Sequence, residues 1–420
     1  TQIDRRSLIL GMVGAAGLTA AGCTSTTPGP APTSAGPKSL PPPTTTTSAT
    51  SSVDPRPRWP LTGVLMTDPA AGRHTPVAVK VPDNKGEHPQ VGLDAADIVF
   101  VELEGYVDAA GNSSTRLMPL FHSTLPHAAA PVRSMRPVDV PLLAPIGVTI
   151  GSTGAAPWVV DYIKSFGQYV DGSLTYLATQ GTGSYSIDGS RVRSIGGVKY
   201  YDRAVVCRPD VLAKRARSFT SGPSRPYLPF TGDPTAVSTV TGRPATKVAV
   251  PWKPGESYDM SYSYDAPSRR YLRSMPWGPH ILANGTRVAT DNVLVIRAGQ
   301  RFAKLYAGKG HEEPVHDIIK ASGTFVYAHG GKYVTGTWSK GAVETLFELG
   351  QEAGQHAGRR GPTSWVLARQ EPMTIARSSG VSGGRCGGGS LSCAKAVSTG
   401  VDRSKALVPV SISKPTSASA

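Results

Sequence analysis

The stretch ADIVFVELEGYVDAAGNSSTRLMPLFHS, residues 96–123, predicts two strands joined by a short loop. Residues 96–104 and 115–123 are rich in β-branched, aromatic and other apolar side chains, which is typical of strands. The polar, glycine-bearing loop between them is too short for a helical crossover, since parallel strands need a connection of a dozen or more residues. We therefore expect an antiparallel pair, in which a symmetric register would set Glu104 opposite Arg116.

Further strands and helices are predicted around this pair. Residues 76–81 alternate valines on one face, and residues 146–154 predict a buried strand that ends in a Gly-Ser-Thr turn. Apolar residues at helical spacing predict helices over 155–166 and 209–218. Residues 59–244 are thus expected to form an α/β domain with a mixed sheet.

From residue 245 the pattern changes to short strands separated by glycine turns. Residues 256–274 predict a hairpin whose first strand puts three tyrosines and a methionine on one face. This face suits either a half-buried core surface, which we favour, or an aromatic strip for sugar rings. The fold class predicted is α+β, with a β-rich, mostly antiparallel C-terminal domain over 245–375 and a flexible basic tail over 376–420.

The N-terminus predicts export and a lipid anchor. Arg5-Arg6, a short apolar run and a small-residue end give residues 1–22 the form of a twin-arginine-like signal peptide. Because the run ends on Gly22-Cys23, we expect Cys23 to be lipidated; a cleaved secretory signal with a chance cysteine is the alternative. Residues 23–58 then form a Thr/Ser/Pro-rich tether, whose composition cannot bury a core. The predicted location is the extracytoplasmic side of the cell membrane.

The other cysteines and the net charge bear on disulfide pairing and on the class of partner. Cys386 and Cys393 bracket a glycine-rich loop and could pair in an oxidising compartment, whereas Cys207 follows apolar residues and is expected to be a buried free thiol. The net charge of +15 is spread along the chain without a basic run, so it does not predict a nucleic-acid interface.

Motifs for catalysis and metal binding fail on spacing. The segment HEEPVH, residues 311–316, holds its histidines five apart with a proline between them, whereas a zinc-protease helix needs them four apart. No histidine has a serine or cysteine partner at a recognisable spacing. We therefore predict no catalytic residues, no metal and no cofactor.

The segment PVRSMRPVD, residues 131–139, holds Arg133 and Arg136 in a region that is otherwise mostly apolar. A bend would let both guanidinium groups share one carboxylate or phosphate ligand. The second interpretation is structural, in which the two arginines form ion pairs with internal carboxylates. The available partners are Asp83, Asp97, Glu102 and Asp139.

Three more residues are candidates for the same ligand site. Asp83 and Asn84 end a strand, where α/β folds often bind ligands, although both residue types also suit a turn. Glu102 lies at the end of the next strand. These three residues, with Arg133 and Arg136, form the predicted ligand-binding set.

Separated segments of the chain, in a shared order, resemble one family. PVAVKVPDN (76–84), GLDAADIVFVE (92–102), TRLMPLF (115–121) and PVRSMRP (131–137) resemble the N-terminal domain of YerB-like bacterial lipoproteins. YDAPSRRYLRSMPWGPH (264–280), DNVLVI (291–296), GTWSK (336–340) and GPTSWVLA (361–368) resemble its C-terminal domain. The family consists of domains of unknown function, so the resemblance implies architecture and anchoring but no reaction.

Two functional hypotheses follow. The first is an anchored binding or scaffold lipoprotein, whose partners are the cytoplasmic membrane through its lipid and a cell-wall polymer or envelope protein. The alternative is an envelope enzyme whose anionic substrate is held by Arg133 and Arg136, with Asp83 or Glu102 as acid or base. The enzyme requires these residues to converge on an open pocket with a carboxylate that is not already paired.

Overall fold

The predicted antiparallel pair lies inside a larger sheet in the computed structural model, which describes residues 56–107, 113–250, 259–351, 367–368 and 406–412. The strands of the N-terminal part are β1 (Val77–Val79), β2 (Val81–Pro82), β3 (Ile98–Val107), β4 (Ser113–Phe121), β5 (Val148–Gly151), β6 (Val170–Asp171), β7 (Tyr185–Ile187), β8 (Arg193–Ile195), β9 (Val198–Tyr200), β10 (Val205–Cys207), β11 (Phe230–Thr231) and β12 (Arg243–Pro244). The described α-helices are α1 (Asp139–Leu143), α2 (Pro157–Ser165) and α3 (Pro209–Arg215). Short 3₁₀ turns cover Pro69–Gly72, Lys85–Glu87, Leu93–Ala95 and Gly189–Arg191.

Strands β3 and β4 pair antiparallel, which confirms the predicted hairpin. The symmetric register holds only beside the turn, at Val107, and an irregularity between Leu103 and Val107 shifts the pairing further along. Glu102, and not Glu104, is therefore opposite Arg116, so the predicted register is wrong by two residues. A bulge explains the shift, because it adds residues to one strand only.

The N-terminal part of the sheet is mixed, as predicted. Strand β1 pairs antiparallel with β4 and parallel with β5, and β5 pairs parallel with β6. The chain passes from β5 to β6 through α2, which begins at Pro157, where the missing proline N–H costs no intrahelical hydrogen bond. The predicted helices at 155–166 and 209–218 correspond to α2 and α3, each shorter than its prediction.

The C-terminal part is almost entirely β. Its strands are β13 (Lys247–Val250), β14 (Met260–Asp265), β15 (Arg270–Met275), β16 (Gly278–Pro279), β17 (Ala289–Thr290), β18 (Asn292–Ala303), β19 (Glu313–Asp317), β20 (Ala321–His329), β21 (Lys332–Lys340), β22 (Glu348–Gln351), β23 (Leu367–Ala368) and β24 (Ala406–Ile412). Strands β13 to β17 form an antiparallel sheet, and β18 to β22 pair antiparallel with their neighbours in the larger sheet. The observed fold is therefore the predicted α+β class, with few helices.

The larger sheet is buried on both faces. Alternate residues of β3 and β18 contribute to two apolar clusters, one with α1 and α2 and the other with α3 and the β14–β15 hairpin. Met260 and Tyr262 belong to the second cluster and are buried. Ser263, which follows Tyr262 and points to the opposite face, is exposed. The described part of the tyrosine face is therefore a core surface, as favoured, and is not available as an aromatic strip.

Several predicted features fall at or outside the limits of the described chain. Cys23, Cys386 and Cys393, the signal peptide and residues 24–55 of the predicted tether lie outside the described residues. Residues 406–412, within the segment expected to be a flexible tail, form strand β24, which pairs with β18 and β3. Among the described helices none has both the length and the apolar character needed to cross a membrane.

Candidate functional site

The predicted arginine segment crosses the ends of two parallel strands. The Arg133 N–H donates to the carbonyl of Lys80 after β1 at 2.8 Å, and the Arg133 carbonyl accepts from the Thr153 N–H after β5 at 3.0 Å. The Met135 N–H donates to the carbonyl of Gly154 at 2.8 Å. The carboxyl ends of parallel strands are the usual ligand edge of α/β sheets, and the backbone of residues 131–137 lies across this edge.

Arg133 directs its side chain toward the protein surface. Its guanidinium forms an ion pair with Glu87 and donates to the backbone carbonyl of Asp202, whose Oδ2 lies 3.4 Å away. Arg193 pairs with the same Asp202 carboxylate at 2.7 Å, and Arg203 lies 3.4 Å from Glu87. We call these five residues the arginine cluster; it joins three cations to two carboxylates at a partly exposed position.

Arg136 points into the protein. Its Nε donates to the Glu104 carbonyl at 2.6 Å and lies 3.3 Å from the Glu313 carboxylate. Its backbone N–H donates to Asp139 Oδ2 at 2.9 Å. Arg133 and Arg136 therefore have no partner in common among their contacts with the described residues. The two guanidinium groups do not form one anion site in this structure, because each is held by a different set of carboxylate and carbonyl oxygens.

Glu102 belongs to a fully buried charged trio that the sequence did not predict. Lys80 Nζ forms an ion pair with Glu102 and lies 2.6 Å from Asp139 Oδ1, and all three side chains are inaccessible to solvent. Burial raises the pKa of Asp139 to about 7, against the attraction of Lys80 and with the repulsion of Glu102. Lys80 thus contributes one positive charge to two buried carboxylates.

The Glu104–Arg116 pair forms despite the shifted register. Arg116 Nη2 lies 2.7 Å from Glu104 Oε1. Glu104 is two residues further along β3 than Glu102, which is the residue directly opposite Arg116. Burial and the nearby Arg136 lower the pKa of Arg116 to about 10, which still leaves the guanidinium charged at neutral pH. This pair is a buried sheet stabiliser and not a free acid.

Asp83 joins the N-terminal part to the C-terminal β-sheet. Its carboxylate accepts from Thr115 Oγ1 at 2.7 Å and forms an ion pair with Arg273 of β15 at 2.6 Å. Burial alone would raise the pKa of Asp83, but the Arg273 guanidinium and His88, 3.2 Å away, outweigh it and hold the pKa well below its usual range. Asp83 is therefore an ionised structural anchor.

The surroundings of this anchor are polar and mostly enclosed. Arg273 Nη1 lies 2.6 Å from His280 Nδ1, and His280 Nε2 lies 2.8 Å from Gln90 Oε1. Burial and Arg273 hold the pKa of His280 well below its usual range, so this imidazole is neutral. Asn84, which follows Asp83, has a buried side-chain oxygen without a hydrogen-bond partner among the described residues.

A small cleft of about 180 Å³ opens beside α1, α2 and the β18–β19 pair. It is lined by Pro137, Val138, Pro141, Tyr162, Arg301, Leu305, Val315, His316, Asp317 and Ile319. None of the predicted site residues is among them. Burial lowers the pKa of His316 to about 4, and both of its ring nitrogens are covered by protein and lack partners within the described part of the chain.

Other candidates from the sequence are also located. Cys207 is a buried free thiol, as predicted, and burial raises its pKa. The HEEPVH segment ends in strand β19 and not in a helix. Across the described ranges no group of three or more His, Cys, Asp or Glu side chains is placed to hold a metal ion. Trp338 is buried against the core, with its indole N–H donating to the Arg297 carbonyl at 2.9 Å.

The structure brings together partners that sequence spacing could not connect. Lys80 alternates with valines in PVAVKV and gave a weak signal, namely a charge in an otherwise buried strand. Arg273 gave none, because it lies 190 residues from Asp83. Of the predicted set, Arg133 is the residue whose side chain reaches a partly exposed cluster.

Comparison with known proteins identifies the class. Residues 61–191 match the N-terminal domain of a protein family of unknown function, DUF3048, and residues 248–366 match its C-terminal domain. The chain belongs to this YerB-like family. The predicted boundary at residues 244 and 245 lies between the two matches.

Particular relatives support the same assignment. YerB of Bacillus subtilis (strain 168), described as a predicted lipoprotein, is 40% identical over 84 residues, which are 20% of this chain and 23% of YerB. The chain thus matches about a quarter of that relative. The crystal structure of B. subtilis YerB superposes with a TM-score of 0.54 at 21% identity, over 74% of this chain and 96% of that structure. This structural likeness shows the fold alone.

Proposed function

We propose that this protein is a lipid-anchored binding protein on the extracytoplasmic side of the cell membrane, where it engages an anionic component of the cell envelope. The anchor would be the acylated Cys23 that follows the twin-arginine-like signal, and residues 24–58 would be its tether. The description of the relative YerB as a predicted lipoprotein supports this anchoring.

The observation that carries the binding role is the arginine cluster. Three guanidinium groups there share two carboxylates, and the side chains of Arg193 and Arg203 are about one-third exposed. Arginine is well suited to phosphate and carboxylate, because its planar donors match both groups in a bidentate geometry. An anionic envelope component therefore suits this surface better than a neutral one.

The enzyme alternative lacks the arrangement that it requires. Asp83 is ion-paired with Arg273, and Glu102 is ion-paired with Lys80. The Arg136 guanidinium is occupied by Glu104 and Glu313. Since none of these groups lines the cleft beside α1 and α2 in the described part of the chain, we base the proposed function on binding.

The anchor is tested by fractionation of cells that produce the Cys23→Ala variant. We expect the parent protein in the membrane fraction and the variant in the soluble extracytoplasmic fraction. Replacing both Arg5 and Arg6 by lysine should retain the protein inside the cell, since a twin-arginine signal needs the pair. Membrane retention of Cys23→Ala through the apolar segment alone would contradict the lipid anchor.

The binding role is tested by retention of purified protein on isolated cell envelopes. Replacing Arg193 and Arg203 together by glutamate should lower retention severalfold at low salt, because the binding is electrostatic. The matched control is the Arg301→Glu, Lys304→Glu pair, which makes the same charge change on another exposed surface. Equal loss in both double variants would reduce the effect to net charge and contradict a site at the arginine cluster.

A further inference from the structure

The arginine cluster holds the base of an exposed hairpin. Strands β8 and β9 pair antiparallel across the two-residue turn Gly196-Gly197, and both glycines have positive φ angles, of 58° and 81°. This is the geometry that a tight two-residue hairpin demands, and glycine adopts it without steric cost. All nine residues from 194 to 202 are exposed, so the hairpin projects from the body.

The projecting part is unusually apolar for a solvent-exposed element. Ile195 and Val198, which pair directly beside the turn, are 55% and 56% exposed. Tyr200 and Tyr201 follow at 41% and 47%. Single exposed apolar side chains need no explanation, but several of them on one projecting hairpin mark an interaction surface.

One face of the hairpin combines these apolar groups with a cation. Cross-strand partners share a face, and alternate residues of a strand do as well, so Arg193, Ile195, Val198 and Tyr200 lie together. The Arg193 guanidinium lies 6.0 Å from the centre of the Tyr200 ring. The face is therefore apolar at the tip, and aromatic and cationic toward the base.

The charges around the hairpin are mainly positive. Residues 185–203 contain four basic side chains, Arg191, Arg193, Lys199 and Arg203, and two acidic ones, Asp188 and Asp202. Both carboxylates are already engaged, Asp188 with Arg191 at 3.4 Å and Asp202 with Arg193 at 2.7 Å. Lys199 stands on the opposite face of β9 from Tyr200 and is exposed.

The base of the β8–β9 hairpin is hydrogen-bonded to the rest of the protein, whereas its tip is exposed. Arg203 Nη1 donates to the Gly86 carbonyl at 2.9 Å, and Arg191 donates to the carbonyls of Glu87 and Pro89. Arg133 holds the backbone of Asp202 from the other side. A hairpin held at its base presents its tip without the entropic cost of ordering a flexible loop.

We propose that the β8–β9 hairpin docks on the anionic phospholipid surface of the membrane, with Ile195 and Val198 entering the headgroup region and the nearby cations facing lipid phosphates. This proposal deepens the proposed function and rests on it for the location of the protein. Tyrosine is enriched at the membrane interface, and basic residues beside it are attracted by anionic lipids. An anionic bilayer satisfies both parts of this face at once, because its headgroup region accepts the apolar tip and its phosphates attract the nearby cations.

The tether makes this contact geometrically accessible. A tether of the predicted 24–58 length would reach about 115 Å even if fully extended, at ~3.3 Å per residue, so the folded body would stay near the bilayer. Even weak lipid contacts are then populated, because anchoring raises their effective concentration. The hairpin would fix which side of the body faces the membrane.

The test uses the full chain with Cys23→Ala, so that no acyl chain contributes, and vesicles of phosphatidylglycerol mixed with phosphatidylcholine. We expect co-sedimentation with these vesicles, weaker binding in pure phosphatidylcholine, and release by salt. Ile195→Asp combined with Val198→Asp should weaken binding at least about tenfold, since two apolar anchors are lost and two charges are added. The apolar segment of residues 8–22 is common to all variants and cancels in the comparison.

Two controls keep the result specific to the hairpin. Phe302→Asp changes an apolar side chain of similar exposure, 41%, on β18 and should leave binding unchanged. Hydrogen exchange should show protection of the amides of 193–200 when vesicles are added, and Lys199→Gln should weaken binding more than Lys304→Gln does.

Three outcomes would overturn the proposal. Binding that is unchanged in the double aspartate variant, or a hairpin that stays unprotected, would show that lipid is held elsewhere. Concentration-dependent self-association that the double aspartate variant abolishes, without vesicle binding, would assign the hairpin to a second copy of the chain. None of these results bears on Cys23 anchoring, which cell fractionation tests separately.

Discussion

Asp83–Arg273 and Asp202–Arg193 are both aspartate–arginine pairs with closely similar distances, 2.6 Å and 2.7 Å. The first pair is almost wholly removed from water, whereas both side chains of the second are more than one-third exposed. The buried pair also joins residues 190 positions apart, and the exposed pair joins residues nine apart. The same chemical contact therefore has different consequences in the two regions.

The difference follows from solvation. A buried ion pair recovers its desolvation cost only while both partners are present, so loss of one partner leaves a charge stranded in a poor solvent. An exposed pair is screened by water and can exchange its carboxylate for another anion at little cost. The buried charges Asp83 and Arg273 therefore hold the fold, whereas under the proposed function the exposed arginines would bind the anionic ligand.

The largest effect is expected from Arg273→Met. It leaves the Asp83 carboxylate buried without its cation, which should lower the free energy of unfolding by about 3–5 kcal/mol. Urea denaturation measures the change. The double variant Arg273→Met, Asp83→Asn should recover part of the loss, since the stranded charge is removed.

The matched exposed pair gives the control for this change. Arg301 lies 3.2 Å from Asp317, with both side chains about half exposed. Arg301→Met should therefore change the free energy of unfolding by at most about 1 kcal/mol. A cost of Arg273→Met as small as that of Arg301→Met would contradict a structural role for the buried pair.

The next largest effect is the pH dependence of the free energy of unfolding that arises from the Lys80–Glu102–Asp139 trio. The pKa of Asp139 is raised to about 7 in the folded protein, against 3.8 for an ordinary aspartate. Between these values the folded chain keeps a proton that the unfolded chain has released, so the free energy of unfolding contributed by Asp139 falls as pH rises from about 4 to about 7. Asp139→Asn should remove this fall, which amounts to a few kcal/mol at most.

The comparison of parent and Asp139→Asn isolates the one carboxyl. Burial lowers the pKa values of His122 and His316 to about 4. His122 titrates alike in both proteins, whereas loss of the Asp139 charge lowers the pKa of His316 further, so the contribution of His316 differs between parent and variant only near pH 4. Urea midpoints measured at several pH values between 4 and 8 give the difference directly. Parallel curves for the two proteins would show that Asp139 keeps an ordinary pKa despite its burial.

The fold was predictable where its information is local. Alternating apolar residues located β3, β4, β14 and β15, and a loop too short for a crossover fixed the direction of the first pair. The bulge in β3 was not predictable, because no residue type between 103 and 107 demands it. The run ALVPVSI at 406–412 does carry a strand pattern, but it is isolated among Ser, Gly and Lys residues and was assigned to a tail.

The site was less predictable, because its pairings are between distant positions. Asp83, Glu102 and Arg136 are predicted from the sequence as ligand-binding candidates, but their observed partners Arg273, Lys80 and Glu313 are set by how the sheets pack. Spacing suggested that Arg133 and Arg136 act together. In the folded chain, the bend between them directs one toward the surface and the other into the core.

Arg133→Met tests a residue that contacts both the buried Glu87 and the exposed Asp202. Its side chain is 18% exposed and pairs with the buried Glu87, so we expect a loss of about 1 kcal/mol in the free energy of unfolding. Because Arg133 also holds the backbone of Asp202, amides of the β8–β9 hairpin should exchange faster in the variant. Unaltered exchange would show that the hairpin does not need Arg133.

Arg193→Gln should have the smallest effect on stability and is the most informative for binding. Asp202 keeps its contact with Arg133 in this variant, and the lost pair is exposed, so the urea midpoint should not move. Binding to anionic vesicles should nevertheless weaken, because one of the exposed cations at the hairpin is removed. A variant that binds normally but unfolds more readily would reverse the comparison, since the exposed arginine would then hold the fold as the buried ones do.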